Sequence, residues 1–580
     1  MNGLRPISAS ARAGCRPHSA SRRAQINGLA TLATFSVPRA YNEPNLHYAT
    51  SSPDRIALQK ALKTLKDAAP LQIQTVIAGK ELKASAASVQ ANPSAHKEAV
   101  AHYFNATEED VSRAIGAALK AKPQWESLPF ADRAAVFLKA ADLVSGKYRY
   151  DIMAATMLGQ GKNAWQAEID AAAELADFLR FNVQYAESLY AQQPQHNTAG
   201  IWNRVEYRPL EGFVYAISPF NFTAIGGNLS AAPALMGNVV LWKPSPHAIA
   251  SNHLVHKIFL EAGLPADVIQ FVPGDAEMVT RVALNHKDFS CLHYTGSTAV
   301  FRSLYGKVGE GIAKGAYRGY PRIVGETGGK NYHLIHPSAD LPSAIVNTVR
   351  GAFEFQGQKC SATSRLYVPK SRWEEFKDGL VKETKNLKIG PPEEFSNFVG
   401  PVIHQGSFDK LSNVIDEAKK DPELELLVGG TYDNSRGYFI HPTIYATQNP
   451  HHKLFKTELF GPVLVAHVYD DTHSPAEAFA EICKTIDNTT EYGLTGAVFA
   501  KDREALRFAE EALRNSAGNF YLNCKSTGAV VGQQPFGGSR ASGTNDKAGS
   551  PALLSRFVSM RSIKEEFQGC YTAEYPSNKV

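Results

Sequence analysis

Several short motifs that identify common protein classes are missing from this sequence. Its six cysteines form no Cys-x-x-Cys pair and no spacing typical of a metal site. This argues against a zinc-binding or disulfide-based class and predicts free thiols in a reducing compartment without a bound metal. No Gly-x-Gly-x-x-Gly sequence follows a predicted strand, so the standard dinucleotide-binding fingerprint is absent as well.

Lysine, aspartate and glutamate are absent from the first 42 residues, which contain six arginines and many serines. The net charge of +5 therefore comes from this segment, and the near-neutral remainder predicts no nucleic-acid-binding surface. An arginine-rich, acid-free start without a continuous apolar core is typical of a mitochondrial transit peptide. We predict a transit peptide over residues 1–40, cleavage between about Thr34 and Tyr41, and a location in the mitochondrial matrix. A disordered cytosolic tail is the alternative.

Long apolar runs are also scarce. The uncharged stretch 212–242 is long enough to suggest a membrane span, but asparagine, serine and proline interrupt it. A buried strand–helix–strand unit explains it better, so no membrane insertion is predicted.

From residue 212 onward, short apolar runs alternate with helical patterns. This alternation predicts an α/β fold with a parallel, doubly wound sheet whose ligands bind at the carboxyl ends of the strands. A second α/β unit is predicted over residues 327–525. The strand candidates are 213–217, 239–242, 268–272, 291–294 and 322–324 in the first unit and 365–368, 424–428, 463–468 and 496–499 in the second.

One cysteine, Cys360, lies in the glycine-containing stretch 353–361 beside Lys359. A free cysteine is usually a small buried hydrophobe, whereas a nucleophilic cysteine needs partner groups. Candidate partners exist: Glu326 lies in a glycine-rich turn, and Asn221 follows the apolar run 213–217. Two further motifs, at residues 458–462 and 535–538, follow in the chain.

Taken together and in this order, these motifs resemble the aldehyde dehydrogenase superfamily over residues from about 99 to about 567. The stretches 356–362, 523–529 and 532–538 are similar to the branch that oxidises glutamate γ-semialdehyde to glutamate in proline catabolism. The resemblance implies two doubly wound α/β domains with a small β flap, in a homodimer or higher homo-oligomer. The implied division is an NAD-binding domain over 41–325 with the flap near 190–210, a catalytic domain over 326–530 and a C-terminal return over 531–580.

The same resemblance assigns the chemistry to three residues. Cys360 would attack the aldehyde carbon to form a thiohemiacetal, and hydride transfer to a nicotinamide would leave a thioester. The Asn221 amide, with the Cys360 main-chain N–H, would stabilise the oxyanion. Glu326 would be the general base that activates water for hydrolysis.

For cofactor and substrate, the resemblance implies NAD and a small molecule with an α-amino acid end. Its NAD contacts would be Ser218, Lys243, Gly296, Ser297, Glu458 and Phe460. Pro246 stands where many relatives carry a ribose-binding glutamate, which leaves NAD over NADP open. The α-carboxylate of the substrate would bind Ser361 together with Gly528 and Ala529 of the anchor loop, defined here as residues 526–530. Phe222 and Phe536 would contact the aliphatic part of the substrate, and Glu174 would bind its α-ammonium group.

Three alternatives remain. An enzyme of the same fold acting on another semialdehyde would share all motifs except the anchor loop with Ser361. A cysteine acyltransferase or thiol hydrolase would need a Cys–His pair, and no histidine lies in a recognisable partner motif. A non-catalytic scaffold role would not require the complete set of catalytic positions. An exposed helical glutamate is the alternative for Glu174.

Overall fold

The computed structural model describes residues 35–83 and 87–579, so most of the predicted transit peptide lies outside the described residues. A first sheet contains five parallel strands, and its continuous apolar runs are buried, as expected for a sheet covered on both faces. Phe213–Ile217 lies at its centre. In spatial order the strands are Arg322–Glu326, Phe289–Thr295, Phe213–Ile217, Val239–Lys243 and Ile269–Phe271. All five predicted strands of this unit are therefore confirmed.

Helices cover this sheet and precede it in the chain. One of the preceding helices begins after Thr107, whose side chain forms a reciprocal capping box with that of Asp110. The helices between the strands are Thr223–Leu235, Ile249–Ala262, Ala276–Leu284 and Thr298–Ala313. Those before the sheet are Pro53–Ala68, Glu108–Glu126, Phe130–Ser145, Arg149–Gln160, Ala164–Ala167 and Leu175–Tyr190, with the π-helix Glu168–Glu174 between the last two.

A second sheet has seven strands, parallel except for one antiparallel edge pair. Its spatial order is Glu425–Val428, Thr443–Thr447, Val463–Tyr469, Thr363–Pro369, Asn331–Ile335, Thr495–Phe499 and Asn519–Leu522. The helices of this unit are Leu341–Phe353, Trp373–Lys385, Gln405–Ala418, Pro475–Thr489 and Arg503–Ala512. Sequence analysis missed three of these strands, among them the central strand Asn331–Ile335.

Strand Asn331–Ile335 was missed because its middle residue is polar. His333 is fully buried, and its ring nitrogens lie 3.0 Å from the Thr348 hydroxyl and 2.9 Å from the Thr363 hydroxyl. These hydrogen bonds offset the loss of hydration that makes a buried imidazole costly. A sequence pattern shows the polar residue but not its distant partners.

Strands between residues 71 and 103 form a small sheet of their own, which is separate from the two large sheets. Leu71–Ile73, Ala95–Tyr103 and Ser88–Asn92 form a three-stranded sheet there. The remaining short strands pair as Val76–Ile77 with Lys80–Glu81, Tyr432–Asp433 with Phe439–Ile440, and Tyr492–Gly493 with Ser539–Arg540.

The C-terminal segment returns to the first sheet. Val531 and helix Pro551–Ser555 pack in the hydrophobic core of that unit, and Val558–Glu566 then pairs antiparallel with Ile201–Pro209. The flap implied near residues 190–210 is thus one strand of a two-stranded ribbon, and its role between subunits stays a prediction. The predicted domain division at residues 325 and 326 coincides with the last residue of the first sheet, and it too stays a prediction.

No helix within residues 35–83 and 87–579 combines the length and apolar character that a bilayer crossing requires.

Asn238 joins the C-terminal return to the first sheet. Its side-chain amide donates to the carbonyl oxygens of Pro233 at 3.0 Å and Phe557 at 2.8 Å and accepts from the Leu210 N–H at 2.9 Å. Asn238→Ala would leave the Leu210 N–H and the Phe557 carbonyl without partners, while the Pro233 carbonyl keeps the main-chain N–H of residue 238. We therefore expect the free energy of unfolding to fall by about 2–4 kcal/mol in urea denaturation. The exposed Asn285→Ala is the control, and equal stability of both variants would contradict this role.

Candidate active site

Cys360 follows a tight turn that begins where helix Leu341–Phe353 ends. Phe355 and Gln356 have φ values of 51° and 54°, in the left-handed region that bulky side chains rarely adopt. The Gln356 amide donates to the carbonyl oxygens of Gly161 at 3.0 Å and Pro401 at 2.8 Å, which holds this turn in place. Cys360 is thereby presented just before strand Thr363–Pro369.

Asn221 reaches the same turn from the first sheet. Its Nδ2 donates to the main-chain carbonyl of Gln358 at 3.1 Å, and its side chain is buried. From the second sheet, the Asn331 amide donates to the carbonyls of Cys360 and Ala362, each at 2.8 Å. The structure thus brings Asn221 next to the cysteine turn, as predicted from sequence.

The turn that carries Glu326 lies against the main chain of Cys360. A Cβ atom on Gly329 would lie 2.5 Å from the Cys360 carbonyl oxygen, and one on Gly328 would lie 2.1 Å from a carboxylate oxygen of Glu458. Only glycine allows both approaches. The Gly329 N–H also donates to Glu458 at 2.9 Å, so this turn joins Cys360 to Glu458.

Burial sets the ionisation of this crevice. It raises the pKa of Glu326 to about 8, an effect that Lys547 opposes and Asp546 reinforces. Burial also raises the pKa of the Cys360 thiol, and the nearby carboxylates of Glu326 and Glu458 raise it further. The ligand-free site therefore keeps the thiol protonated, and a base must accept its proton before attack.

Lys359 does not supply a thiolate-stabilising charge, although it is adjacent in sequence. Its Nζ pairs with Glu354 at 3.0 Å, and Lys525 binds the same carboxylate at 2.7 Å. Burial opposes ionisation of Glu354, but the two lysines outweigh it and lower its pKa to about 2. The charges of Lys359 and Lys525 are thus directed to Glu354, which links the cysteine turn to the anchor loop.

A cavity of about 540 Å³ opens beside Glu458. Its opposite wall is the start of helix Thr298–Ala313, where the Ser297 side chain caps the helix and Gly296 forms the preceding turn. Main-chain N–H groups at a helix start favour anions such as pyrophosphate. Lys410 and Tyr492 also line this cavity.

Lys243 and Ser218 lie at the carboxyl ends of neighbouring strands of the first sheet. Lys243 is buried, its Nζ contacts the Pro244 carbonyl at 3.3 Å, and burial lowers its pKa to about 8. Ser218 accepts a hydrogen bond from the Trp242 indole at 2.9 Å. Phe460, with a φ of 57°, packs edge to face on Phe220. The carboxyl edge of the first sheet, as expected, and the amino edge of the second sheet together form the crevice.

The anchor loop lies directly on Ser361. The hydroxyl oxygens of Ser361 and Thr527 are 2.7 Å apart, and Ser526 donates to the Ser361 carbonyl at 3.1 Å. Gly528 follows with a φ of 102° and is exposed, and Ala529 is half-buried. The structure therefore brings Ser361, Gly528 and Ala529 to one place.

Glu174 is a half-buried residue at the end of the π-helix, not an exposed helical glutamate. Burial and the neighbouring Asp170 raise its pKa to about 8, while Lys162 opposes them. Phe222 is close, since its ring centroid lies 3.8 Å from the Lys162 ammonium. Phe536 is half-buried and pairs through its main chain with Ala548, but among the described residues no ring contact joins it to Phe222.

No group of three or more His, Cys, Asp or Glu suited to a metal ion occurs within the part of the chain that the structure describes.

Comparison with known proteins agrees with this geometry. Residues 82–563 match the family model described as the Aldehyde dehydrogenase family. The chain belongs to the aldehyde dehydrogenase family. The predicted family and α/β fold are therefore confirmed.

Named relatives of this aldehyde dehydrogenase carry a more specific description. The mitochondrial Δ1-pyrroline-5-carboxylate dehydrogenase of Emericella nidulans is 68% identical, over 95% of this chain and 96% of the relative. The mitochondrial protein of the same name from Homo sapiens is 47% identical, over 95% and 97%. The solved structure of Δ-pyrroline-5-carboxylate dehydrogenase from Mycobacterium tuberculosis bound with NAD is 46% identical, has a TM-score of 0.90, and covers 95% of this chain and 100% of that chain.

A buried ion pair between Lys162 and Asp170, which was not predicted from sequence, lies beside the site of this aldehyde dehydrogenase. Both side chains are fully buried and lie 2.7 Å apart. Asp170 also accepts hydrogen bonds from the Thr223 and Ala224 N–H groups at 3.0 and 2.8 Å, which caps the helix that begins after Asn221 and Phe222. A lysine eight residues before an aspartate gives no sequence signal, because the intervening π-helix sets their approach.

This pair also supports two aromatic rings of the aldehyde dehydrogenase site. The Lys162 ammonium lies over the rings of Phe222, at 3.8 Å, and Phe355, at 4.6 Å. Such cation–π contacts strengthen when water is excluded. Lys162 and Asp170 therefore hold the Asn221–Phe222 turn against the cysteine turn.

Lys162→Met would leave the buried Asp170 carboxylate without its cation. We expect the free energy of unfolding to fall by about 3–5 kcal/mol in urea denaturation. Lys162→Met combined with Asp170→Asn removes both charges and should regain most of that stability while turnover stays reduced, because the cation beneath Phe222 and Phe355 is still missing. A single variant as stable as the unmodified enzyme would contradict this account.

Proposed function

We propose that this chain oxidises L-glutamate γ-semialdehyde to L-glutamate with NAD. The semialdehyde forms when the ring of Δ1-pyrroline-5-carboxylate opens, which makes the reaction the second oxidation of proline catabolism. The observation that carries the proposal is the convergence of Cys360, Asn221 and Glu326 on one crevice next to Ser361 and the anchor loop. Relatives named as Δ1-pyrroline-5-carboxylate dehydrogenases support it.

Cys360 is the nucleophile of the proposed mechanism. Its sulfur bonds to the aldehyde carbon while Glu326, whose pKa of about 8 suits a base, accepts the thiol proton. The carbonyl oxygen gains negative charge, which the Cys360 N–H and the Asn221 amide stabilise. Because Asn221 uses one N–H for the Gln358 carbonyl, its orientation is fixed and its second N–H is available to the substrate oxygen.

The residues around the 540 Å³ cavity fit a dinucleotide. Ser297 and Gly296 would hold the pyrophosphate at the helix start, Glu458 the nicotinamide ribose and Lys243 the adenosine ribose. Ser218 and Phe460 would border the nicotinamide. When bound, NAD supplies the acceptor for the hydride that leaves the tetrahedral carbon.

Hydrolysis of the thioester completes the reaction. After Glu326 has released the thiol proton to solvent, its carboxylate removes a proton from water, and the resulting hydroxide attacks the thioester carbon. The carbon–sulfur bond then breaks, Cys360 takes back a proton and glutamate leaves as the carboxylate. Glu326 thus acts on both sides of the hydride transfer, consistent with its glycine-flanked position.

The amino acid end of the substrate binds on the opposite side from the cofactor. Ser361 and the main-chain N–H groups at Gly528 and Ala529 hold the α-carboxylate, since Ala529 has no hydroxyl to offer. Glu174 accepts from the α-ammonium. Phe222 and Phe536 enclose the aliphatic carbons.

A cysteine acyltransferase or thiol hydrolase fits this site less well. Its mechanism needs a histidine free to pair with the thiol. His333 lies on the strand next to the cysteine turn, but its Nε2 accepts from the Ser526 N–H at 3.1 Å and its Nδ1 faces Thr348. That imidazole is already used to hold the anchor loop.

The proposal extends to location and assembly. We place the enzyme in the mitochondrial matrix, supported by its transit-peptide-like start and by relatives named as mitochondrial. We also propose a homodimer or higher homo-oligomer formed through the ribbon of Ile201–Pro209 and Val558–Glu566. Trp202 and Met560 are large apolar side chains on this ribbon that are 48% and 59% exposed, which favours a partner surface.

NADH absorbance with Δ1-pyrroline-5-carboxylate tests the reaction directly. We expect turnover by the unmodified enzyme and none by Cys360→Ala. The specificity constant for glutamate semialdehyde should exceed those for succinate semialdehyde and propanal at least about tenfold, because they leave the α-amino acid contacts unpaired. Rates within a few-fold of each other would refute the substrate assignment, and ester cleavage without NADH formation would favour the acyltransferase.

The raised pKa of Glu326 predicts the pH dependence of hydrolysis. The active form is the carboxylate, so below about pH 8 the hydrolysis rate should fall about tenfold per pH unit. Because Glu326 also accepts the thiol proton in this mechanism, Glu326→Gln should slow acylation as well as hydrolysis, so the NADH burst should fall together with the steady-state rate and the residual activity should lose this slope. The exposed Glu511→Gln serves as the control. A pH slope that persists in Glu326→Gln would assign the base to another group.

A further inference from the structure

An N-terminal arm, defined here as residues 37–48, runs without helix or strand along helix Leu175–Tyr190. The main-chain N–H groups of Val37 and Ala40 donate to the side chains of Glu187 at 2.8 Å and Gln184 at 2.9 Å. The chain therefore becomes attached to the first unit only a few residues after the predicted transit peptide cleavage region begins.

Buried charges hold the second half of the arm. The Glu43 carboxylate binds Arg149 and Arg180, each at 2.7 Å. The fully buried Glu168 accepts from the Leu46 N–H at 2.9 Å and the Tyr48 hydroxyl at 2.6 Å. Charged groups with several hydrogen bonds each are costly to separate, so the arm is an integral part of the folded unit.

Asn42, in the middle of the arm, contacts the chain just beyond the anchor loop. Its Nδ2 donates to the Val531 carbonyl at 2.6 Å and to the Asp177 carboxylate at 2.8 Å. Its Oδ1 accepts from the Gln533 side chain at 2.9 Å. The Glu43 N–H also binds Asp177, at 2.7 Å, which fixes the orientation of this asparagine.

The anchor loop is thereby held at both ends. Ser526 and Thr527 are bound by His333 and Ser361 at its first end, and Asn42 holds the segment at its second end. Between them Gly528 is exposed and in a left-handed conformation, without a side chain to fix it. The direction of the N–H groups at Gly528 and Ala529 thus depends on both attachments.

We propose that Asn42 is a positioning residue for the substrate α-carboxylate, acting through the anchor loop. The inference rests on the proposed role of that loop in substrate binding. It also gives the arm a function, so removal of the transit peptide must leave Val37 and all later residues in place. Cleavage nearer to Tyr41 would keep Asn42 but remove the attachment of the arm through Val37 and Ala40.

Kinetics of Asn42→Ala test the proposal. We expect the KM for glutamate semialdehyde to rise about tenfold, the effect of losing one or two hydrogen bonds. The KM for NAD and the turnover of propanal, which has no α-carboxylate, should not change. Asn45→Ala is the matched control, because that residue is on the same arm and exposed.

Gln533 is the exposed residue that donates to Asn42 from the segment after the anchor loop, so Gln533→Ala removes this hydrogen bond without changing the arm. We expect a smaller rise in the same KM, and in the double variant the two effects should be less than additive, as for residues in contact. A chain that begins at residue 36 should behave as the full chain does, whereas one that begins at residue 44 also lacks Glu43 and should combine the KM effect of Asn42→Ala with a loss of stability.

If Asn42→Ala lowers the specificity constants for glutamate semialdehyde and propanal equally, Asn42 has only a structural role. Unchanged kinetics in this variant would reject the proposal. If the unmodified enzyme does not oxidise glutamate semialdehyde, the proposed function fails, and the proposal about the substrate fails with it. Amide hydrogen exchange at residues 528–534 then still decides whether Asn42 holds the loop. Faster exchange in Asn42→Ala than in Asn45→Ala would support that contact, and equal rates would overturn it.

Discussion

A Cβ atom at position 329 would lie 2.5 Å from the carbonyl oxygen of Cys360. The turn that contains Gly329 and the segment that contains Cys360 are therefore in contact through their main chains. The same turn leaves the first sheet at Glu326 and enters the second at Asn331. The crevice exists because a glycine-rich turn of four residues joins two sheets at this spacing. Asn331 then fixes the other side of the contact through its bonds to the carbonyls of Cys360 and Ala362. A larger residue at 329 would separate the proposed base from the proposed nucleophile.

Because these two segments lie so close together, burial determines the electrostatics of the crevice. Glu326 and Glu458 share a poorly hydrated crevice with the thiol, so both carboxylates disfavour negative charge on the sulfur. Lys359, the neighbour of Cys360 in sequence, and Lys525 do not offset this, because both are paired with Glu354. The site therefore rests with a neutral thiol and a weakly acidic Glu326. Transfer of the thiol proton to Glu326 is therefore uphill in this crevice, and it requires the ionised form of Glu326, whose pKa is about 8.

Sequence predicted those parts of the structure that depend on local patterns. All five strands of the first sheet follow from short apolar runs, and Glu326 and Cys360 lie in motifs that contain glycine. It failed where partners are distant in the chain. His333 interrupts an apolar strand, and only Thr348 and Thr363 make it acceptable there. The contact of Asn42 with Val531 has no local signature, because it depends on where two remote segments come to lie. The pairing of Lys162 with Asp170 has none either, although they are only eight residues apart, because the π-helix that contains Asp170 sets their approach.

The helix that follows the π-helix explains why an N-terminal arm and a substrate pocket are neighbours. Asp177, Gln184 and Glu187 are spaced by seven and three residues, which places them on one stripe of an α-helix, and all three bind the arm. Glu174 lies at the end of the seven π-helical residues that precede this helix. A π-helix winds more slowly than an α-helix, so it turns Asp170 and Glu174 away from the direction that an uninterrupted helix would give them. Asp170 is thereby directed to Lys162 and the start of the helix after Phe222 instead of the arm. One helical segment thus contacts the arm on one side and presents charged groups of the crevice on the other. A displacement of the arm would therefore disturb the helix that positions these charged groups.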